Sequence, residues 1–180
     1  DDRGIDGVYR FINRFWNLVM DNKDKEVTAT KEMTRMRHKM IYDITQRLES
    51  FSLNTVISGF MEYNNKMIDL AKNGGIDKET LETAVILMAP FAPHLCEELW
   101  EALGHNESVY ENRWPEYNEE AMQEDEKEIA VQINGKTKVV ITLAADIDKD
   151  SAIAAGKEAL GDKLTGNVVK EIYVPGRIIN

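Results

Sequence analysis

The run Leu81–Trp100, LETAVILMAPFAPHLCEELW, constrains the fold more than any other stretch. Its apolar positions Leu81, Ala84, Val85, Met88, Ala92, Leu95, Leu99 and Trp100 recur mostly at three- and four-residue steps, so one stripe of a helix faces a core. Pro90 and Pro93 interrupt it. Each removes a backbone donor and clashes with the preceding turn, so the helix kinks or restarts there. The prolines and polar groups exclude a bilayer span. The expectation is the central helix of a bundle.

Other segments read the same way. Asp6–Met20 places Val8, Phe11, Ile12, Phe15 and Val19 on one face, with Arg10, Asn13, Arg14 and Asn17 opposite and no acid among them. Thr30–Leu48 has a core stripe of Met33, Met36, Met40, Ile41, Ile44 and Leu48. On its other side Lys31, Arg35 and Lys39 follow at four-residue spacing beside His38. Like charges so spaced cost an isolated helix a few tenths of a kcal/mol per pair. An anion such as a phosphate backbone offsets that cost; a solvated face or acids from a neighbouring segment do so too. Phe51–Lys72 carries Leu53, Val56, Ile57, Phe60, Met67 and Ile68. Ser52 is a candidate cap, and Gly74-Gly75 is a stop. Asp77 suits the cap of a fourth helix. His94 and Cys96 are too few for a metal site and point apart at i, i+2, so a core histidine and a buried small thiol are expected. The aromatic loop Ser108–Pro115 is expected to pack on the bundle.

Past residue 123 the period changes. Ile129, Val131 and Ile133 alternate with polar or small residues, as a half-buried strand does. Asn134-Gly135 is a strong hairpin signal because both turn residues need positive φ. Strand two follows over Lys136–Leu143, with Val139 and Ile141 inward. Lys136 and Lys138, two apart, are expected on one face. Asp148 caps a helix over Lys149–Leu160, and Val168–Val174 reads as a third strand closed by Pro175-Gly176. A third strand beside the hairpin would bring Lys170 and Arg177 towards the lysines. The class is therefore α+β: a helical bundle over 1–123, then a small ββαβ domain over 124–180.

Charge follows this division. The net charge of -10 argues by itself against nucleic acid. Yet residues 1–126 carry 25 acids against 14 Lys and Arg, whereas 127–180 carry 7 against 8. The acids crowd the junction, in Glu116, Glu119, Glu120, Glu124, Asp125, Glu126 and Glu128, as in a solvated connection. One cysteine excludes a disulfide framework and fits a reducing compartment. No secretion signal or membrane span is legible. The first residue is not Met and the last lie in an apolar run, so a stretch of a longer protein is expected.

Ala89-Pro90-Phe91-Ala92-Pro93-His94 with Glu97-Glu98-Leu99-Trp100 resembles the bundle that follows the catalytic core in class I aminoacyl-tRNA synthetases for valine, isoleucine and leucine. Tyr9–Trp16, Arg37-His38-Lys39 and Leu53-Asn54-Thr55 resemble the leucine branch. Val131–Lys136 and Ile172–Arg177 are similar to the C-terminal domain of the bacterial-type leucyl-tRNA synthetases. Thr137 departs mildly from that pattern, and the last strand reads as cut short of the family's. The resemblance implies no chemistry in this stretch, because the family's nucleotide-binding signatures are absent. It implies tRNA(Leu) as partner, alongside the catalytic and editing domains of the same chain, in a cytoplasmic monomer. ATP and Mg2+ would serve the catalytic domain, with no cofactor here. The implied tRNA contacts are Arg10, Asn13, Arg14, Lys31, Arg35, His38, Lys39 and Asn54 on the bundle, and Lys136, Lys138, Lys170 and Arg177 on the small domain. The competing class is an acidic helical protein-interaction module with an appended α+β domain.

Overall fold

A computed structural model describes residues 2–123, 126–145 and 147–180, with side chains from Gly4 onward. The chain divides into two units, Asp1–Met122 and Gln123–Asn180. Glu124 and Asp125 of the acidic connection lie outside the described residues.

The first unit is a bundle of α1 (Asp2–Asn22), α2 (Lys31–Glu49), α3 (Leu53–Ala71), α4 (Lys78–Met88) and α5 (Pro93–Ala102), followed by a 3-10 turn at Val109–Glu111 and the short α6 (Glu119–Met122). The chain stops and restarts as the prolines require: α4 ends at Met88, and α5 begins with Pro93 in its first turn, where a missing N–H costs nothing. The core holds Phe11, Phe15 and Val19 of α1, Met33, Met40 and Ile44 of α2, Val56, Phe60 and Tyr63 of α3, and Leu81, Val85, Leu99 and Trp100. Thr30 caps α2 by accepting from the Met33 N–H (3.1 Å), and Asp77 caps α4 by accepting from the Thr80 N–H (3.0 Å). Ser52 stands at the cap position of α3 without a side-chain cap bond. Its backbone, at φ -87° and ψ 61°, departs from the extended conformation that Thr30 and Asp77 adopt at their caps.

Several side chains lie elsewhere than periodicity suggests. Val8 and Leu53 are exposed, because each sits in the first turns of its helix, beyond the packed core. His94 is also exposed, on the outer side of the first turn of α5, whereas Cys96, two residues on, is fully buried. The aromatic loop packs as expected, with Val109 buried, the Tyr110 hydroxyl donating to the Ala89 carbonyl (2.7 Å) and the Val109 N–H donating to Glu97 (3.2 Å).

The second unit is β1 (Glu126–Ile133), β2 (Lys136–Ala144), α7 (Lys149–Leu160), a 3-10 turn, β3 (Tyr173–Val174) and β4 (Ile178–Ile179). The sheet order is β2-β1-β4-β3, with β1 and β4 parallel and the other pairs antiparallel. Asn134 and Gly135 both have positive φ, as the hairpin demands. Ile129, Val131 and Ile179 meet Ala152 and Ile153 of α7. Gly156 lets that helix approach closely, since a Cβ there would lie 3.1 Å from Ile179.

Of the expected third strand, Val168–Val174, only Tyr173 and Val174 form a strand, and a further short strand, β4, follows the Pro175-Gly176 turn. Tyr173 and Val174 pair with Ile179 and Ile178, and Ile172 exchanges both backbone bonds with Asn180. Val168–Glu171 reach past the end of β4, so no neighbouring strand receives their backbone groups and no ladder forms there.

Candidate nucleic-acid interface

On α1, Arg10, Asn13 and Arg14 are exposed on adjoining turns, as their spacing requires. The Arg10 Nε–H donates to the Asp6 carbonyl (3.3 Å), which lays the side chain back along the helix. Asn54 is exposed in the first turn of α3. On α2, Lys31 is exposed while Arg35, His38 and Lys39 are half-buried. None of Lys31, Arg35 and Lys39 is without a partner. Arg37, between them in sequence, turns inward and forms an ion pair with Glu79 of α4 (2.6 Å).

His38 is held through Nδ1. With that nitrogen accepting, the neutral ring carries its proton on Nε2, which therefore makes no hydrogen bond to the guanidinium beside it. Nδ1 accepts from the Asn118 N–H at 3.0 Å, and Nε2 lies 3.5 Å from Arg37 Nη2. Burial lowers the imidazole pKa below its ordinary 6.5, and the Arg37 charge lowers it further, against a smaller opposite pull from Glu79. The ring is therefore neutral at pH 7. Sequence reasoning missed Asn118; its one signal was an Asn directly before Glu119-Glu120, the pattern of a helix cap.

In the second unit a bulge separates the two hairpin lysines. Thr137 pairs with Gln132 and Val139 with Val131, which leaves Lys138 as the extra residue. Lys136 stands opposite Ile133, on the face that α7 covers. Thr137 is on the other face, where its hydroxyl accepts from the Gln132 side chain (3.3 Å). Lys138 lies two residues before the exposed Val140, on that open face. The expectation of a shared face fails because the bulge breaks the two-residue alternation on which it rested.

Arg177 and Lys170 also lie apart. The Arg177 carbonyl accepts from the Ala130 N–H (3.1 Å), four residues before Asn134. At ~3.3 Å per residue, Arg177 is roughly 13 Å from the hairpin tip. Lys170 lies towards the tip, because Ile172 pairs with Asn180, whose side-chain oxygen accepts from the Gly135 N–H (3.0 Å). Lys127, which sequence reasoning did not single out among its acidic neighbours, packs its stem over Gly176 beside Arg177. The basic groups thus form two sets: Lys136, Lys138 and Lys170 around the tip end, Lys127 and Arg177 at the far end.

Residues 30–153 match the family described as the anticodon-binding domain of tRNA ligase. The chain belongs to that family. The match covers more than half the chain and runs through both units. A leucine–tRNA ligase of Bacteroides thetaiotaomicron is 42% identical over 187 aligned positions, which cover 100% of this chain and 20% of that protein. One from Fervidobacterium nodosum is 38% identical over 198 positions, covering 100% of this chain and 24% of the other. The chain thus spans about a fifth to a quarter of the length of these curated relatives. Among solved structures, the LeuRS of Agrobacterium radiobacter K84, crystallised as a ternary complex with tRNA and LeuAMS, superposes with a TM-score of 0.78 at 27% identity, over 100% of this chain and 25% of that one.

A metal-dependent site needs converging ligands, and a thiol-based one an activated thiolate. The described residues include no group of three or more His, Cys, Asp or Glu placed to hold a metal ion, and no helix long and apolar enough to cross a membrane. The Cys96 thiol is buried and pushed up to about 12, chiefly by desolvation and then by the Glu97 charge, which is the opposite of an activated nucleophile.

Proposed function

We propose that this chain is the tRNA-docking region of a leucine–tRNA ligase, and that it positions tRNA(Leu) for leucylation by a catalytic domain elsewhere in the longer protein. The observation that carries this reading is the match of the whole chain, at a TM-score of 0.78, to a synthetase solved with tRNA bound. The exposed amide and guanidinium groups of Arg10, Asn13 and Arg14, the α2 cations Lys31, Arg35 and Lys39, and Asn54 supply the bundle's contacts. Lys136, Lys138 and Lys170 form one contact set on the small unit and Arg177 another. Such groups bind phosphate and 2′-hydroxyl oxygens and read shape rather than sequence.

The chain itself makes no leucyl-adenylate on this reading. On the same reading ATP and Mg2+ act in the catalytic domain. The reading implies a cytoplasmic monomer that works with the catalytic and editing domains of its own chain.

Hydroxyl-radical footprinting of tRNA(Leu) with this protein tests it. Protection of backbone riboses along one side of the stem and at the outer corner is expected. Uniform cleavage at saturating protein would leave the acidic protein-interaction module as the better reading.

A further inference from the structure

The segment that ends the first unit lies on α2 in reverse order. The Trp114 indole N–H donates to Thr45 Oγ1 (3.0 Å). The Tyr117 ring meets Tyr42 edge-on, with centroids 5.0 Å apart. The Asn118 N–H then donates to His38 Nδ1 (3.0 Å). Thr45, Tyr42 and His38 fall on one face of α2, and at ~100° per residue Lys31 and Arg35 fall on the same side. Beyond Asn118, α6 continues along α2. The Asn118 side-chain oxygen accepts from the Glu120 N–H (2.9 Å), so the residue held by His38 also starts α6.

The two halves of this strap are held differently. Trp114 and Tyr117 pack on the bundle core. Asn118, Glu119 and Glu120 are exposed, with the Asn118 backbone N–H bonded to the imidazole, and Ala121 and Met122 of α6 are half-buried. Residue 123, where the second unit begins, follows α6 directly.

We infer that His38 is a latch: its Nδ1 lone pair holds residues 118–122, with Glu119 and Glu120, against the basic side of α2, and loss of that lone pair releases them. The residue is a positioning group that sets where the connector leaves the bundle. Only the neutral ring can accept the Asn118 N–H, because a protonated Nδ1 would set N–H against N–H. The charges that shift the ring are Arg37 from its own helix and Glu79 from α4; Lys31, Arg35 and Lys39 flank it on α2, and Glu116, Glu119 and Glu120 lie on the strap. Burial and Arg37 keep the latch closed at neutral pH, and acidification opens it.

The test uses the whole chain and no RNA, so it stands apart from the reading of function. His38→Phe keeps a ring and removes the acceptor. At pH 7.5 the Asn118 amide of the variant should exchange roughly five- to tenfold faster than in the wild type, as loss of one net hydrogen bond allows. Comparison at equal pH cancels the intrinsic rate. The ratio should fall towards one as the pH drops through the His38 titration. Should His38→Phe also loosen core amides such as Val85 and Leu99, the wild type decides alone: the Asn118 amide shift must titrate with the His38 ring, at a common midpoint below 6.5. Equal exchange in a folded variant at pH 7.5, or an Asn118 shift flat across the His38 titration, overturns the latch.

Discussion

Arg47 of α2 crosses α3 at Gly59, and its Nη1 donates to the Thr55 carbonyl at 2.6 Å. The crossing exists because position 59 has no side chain: a Cβ there would stand on the guanidinium and lie 3.3 Å from the Ile44 methyl. Gly59→Val gains a little helix propensity but overpacks this contact. A net loss of about 1–3 kcal/mol is expected from the urea midpoint. A variant at least as stable as the parent would show that Arg47 swings away without cost.

Cys96 is fully buried with its pKa at about 12. A thiolate-specific reagent at pH 8 should therefore leave the folded protein unmodified and react fully once denaturant unfolds the bundle. Fast labelling of the native protein would mean that α5 opens far more readily than its packing allows.

Much of the bundle was legible because its signals are local and redundant. Pro90 and Pro93 break a backbone ladder wherever they stand, and Thr30 and Asp77 meet the first turns of their own helices. The hairpin turn was legible from Asn134-Gly135 for the same reason. What was hidden depends on partners distant in sequence. Ser52 looks like a cap, yet the tight turn after α2 holds its backbone outside the extended conformation a cap adopts. Lys136 and Lys138 are two apart, but the bulge that separates their faces is set by pairing with Val131 and Gln132. Val168–Glu171 has every property of a strand except a neighbour. The candidate interface was legible in its residue types and not in its arrangement. No local pattern shows that Asn118 reaches His38 across 80 residues, or that Arg177 enters β4 alongside Ala130.

If α6 and its acids lie over the α2 cations, RNA phosphates and the strap compete for one face. Glu119→Gln with Glu120→Gln should then raise tRNA affinity roughly three- to tenfold at low salt, with the gain fading as ions screen the charges. An affinity unchanged at 50 mM salt would separate the strap from the RNA surface.

Mixing this chain with leucine, ATP and tRNA(Leu) should yield no leucyl-adenylate above a protein-free control. Adenylate formed in proportion to the protein would place catalytic groups within these residues and contradict their assignment to docking alone.

The most direct test of that assignment is the salt dependence of tRNA(Leu) binding, in the wild type and in a variant with Lys31, Arg35 and Lys39 all changed to Gln. A docking surface that neutralises phosphates gives log affinity falling linearly with log salt, and each lost contact lowers the slope by ~0.7–0.9. The account predicts a steep slope for the wild type, reduced by about 2–3 in the variant, with the unfolding midpoint little changed. A shallow wild-type slope, or one that the three substitutions leave untouched, would contradict it.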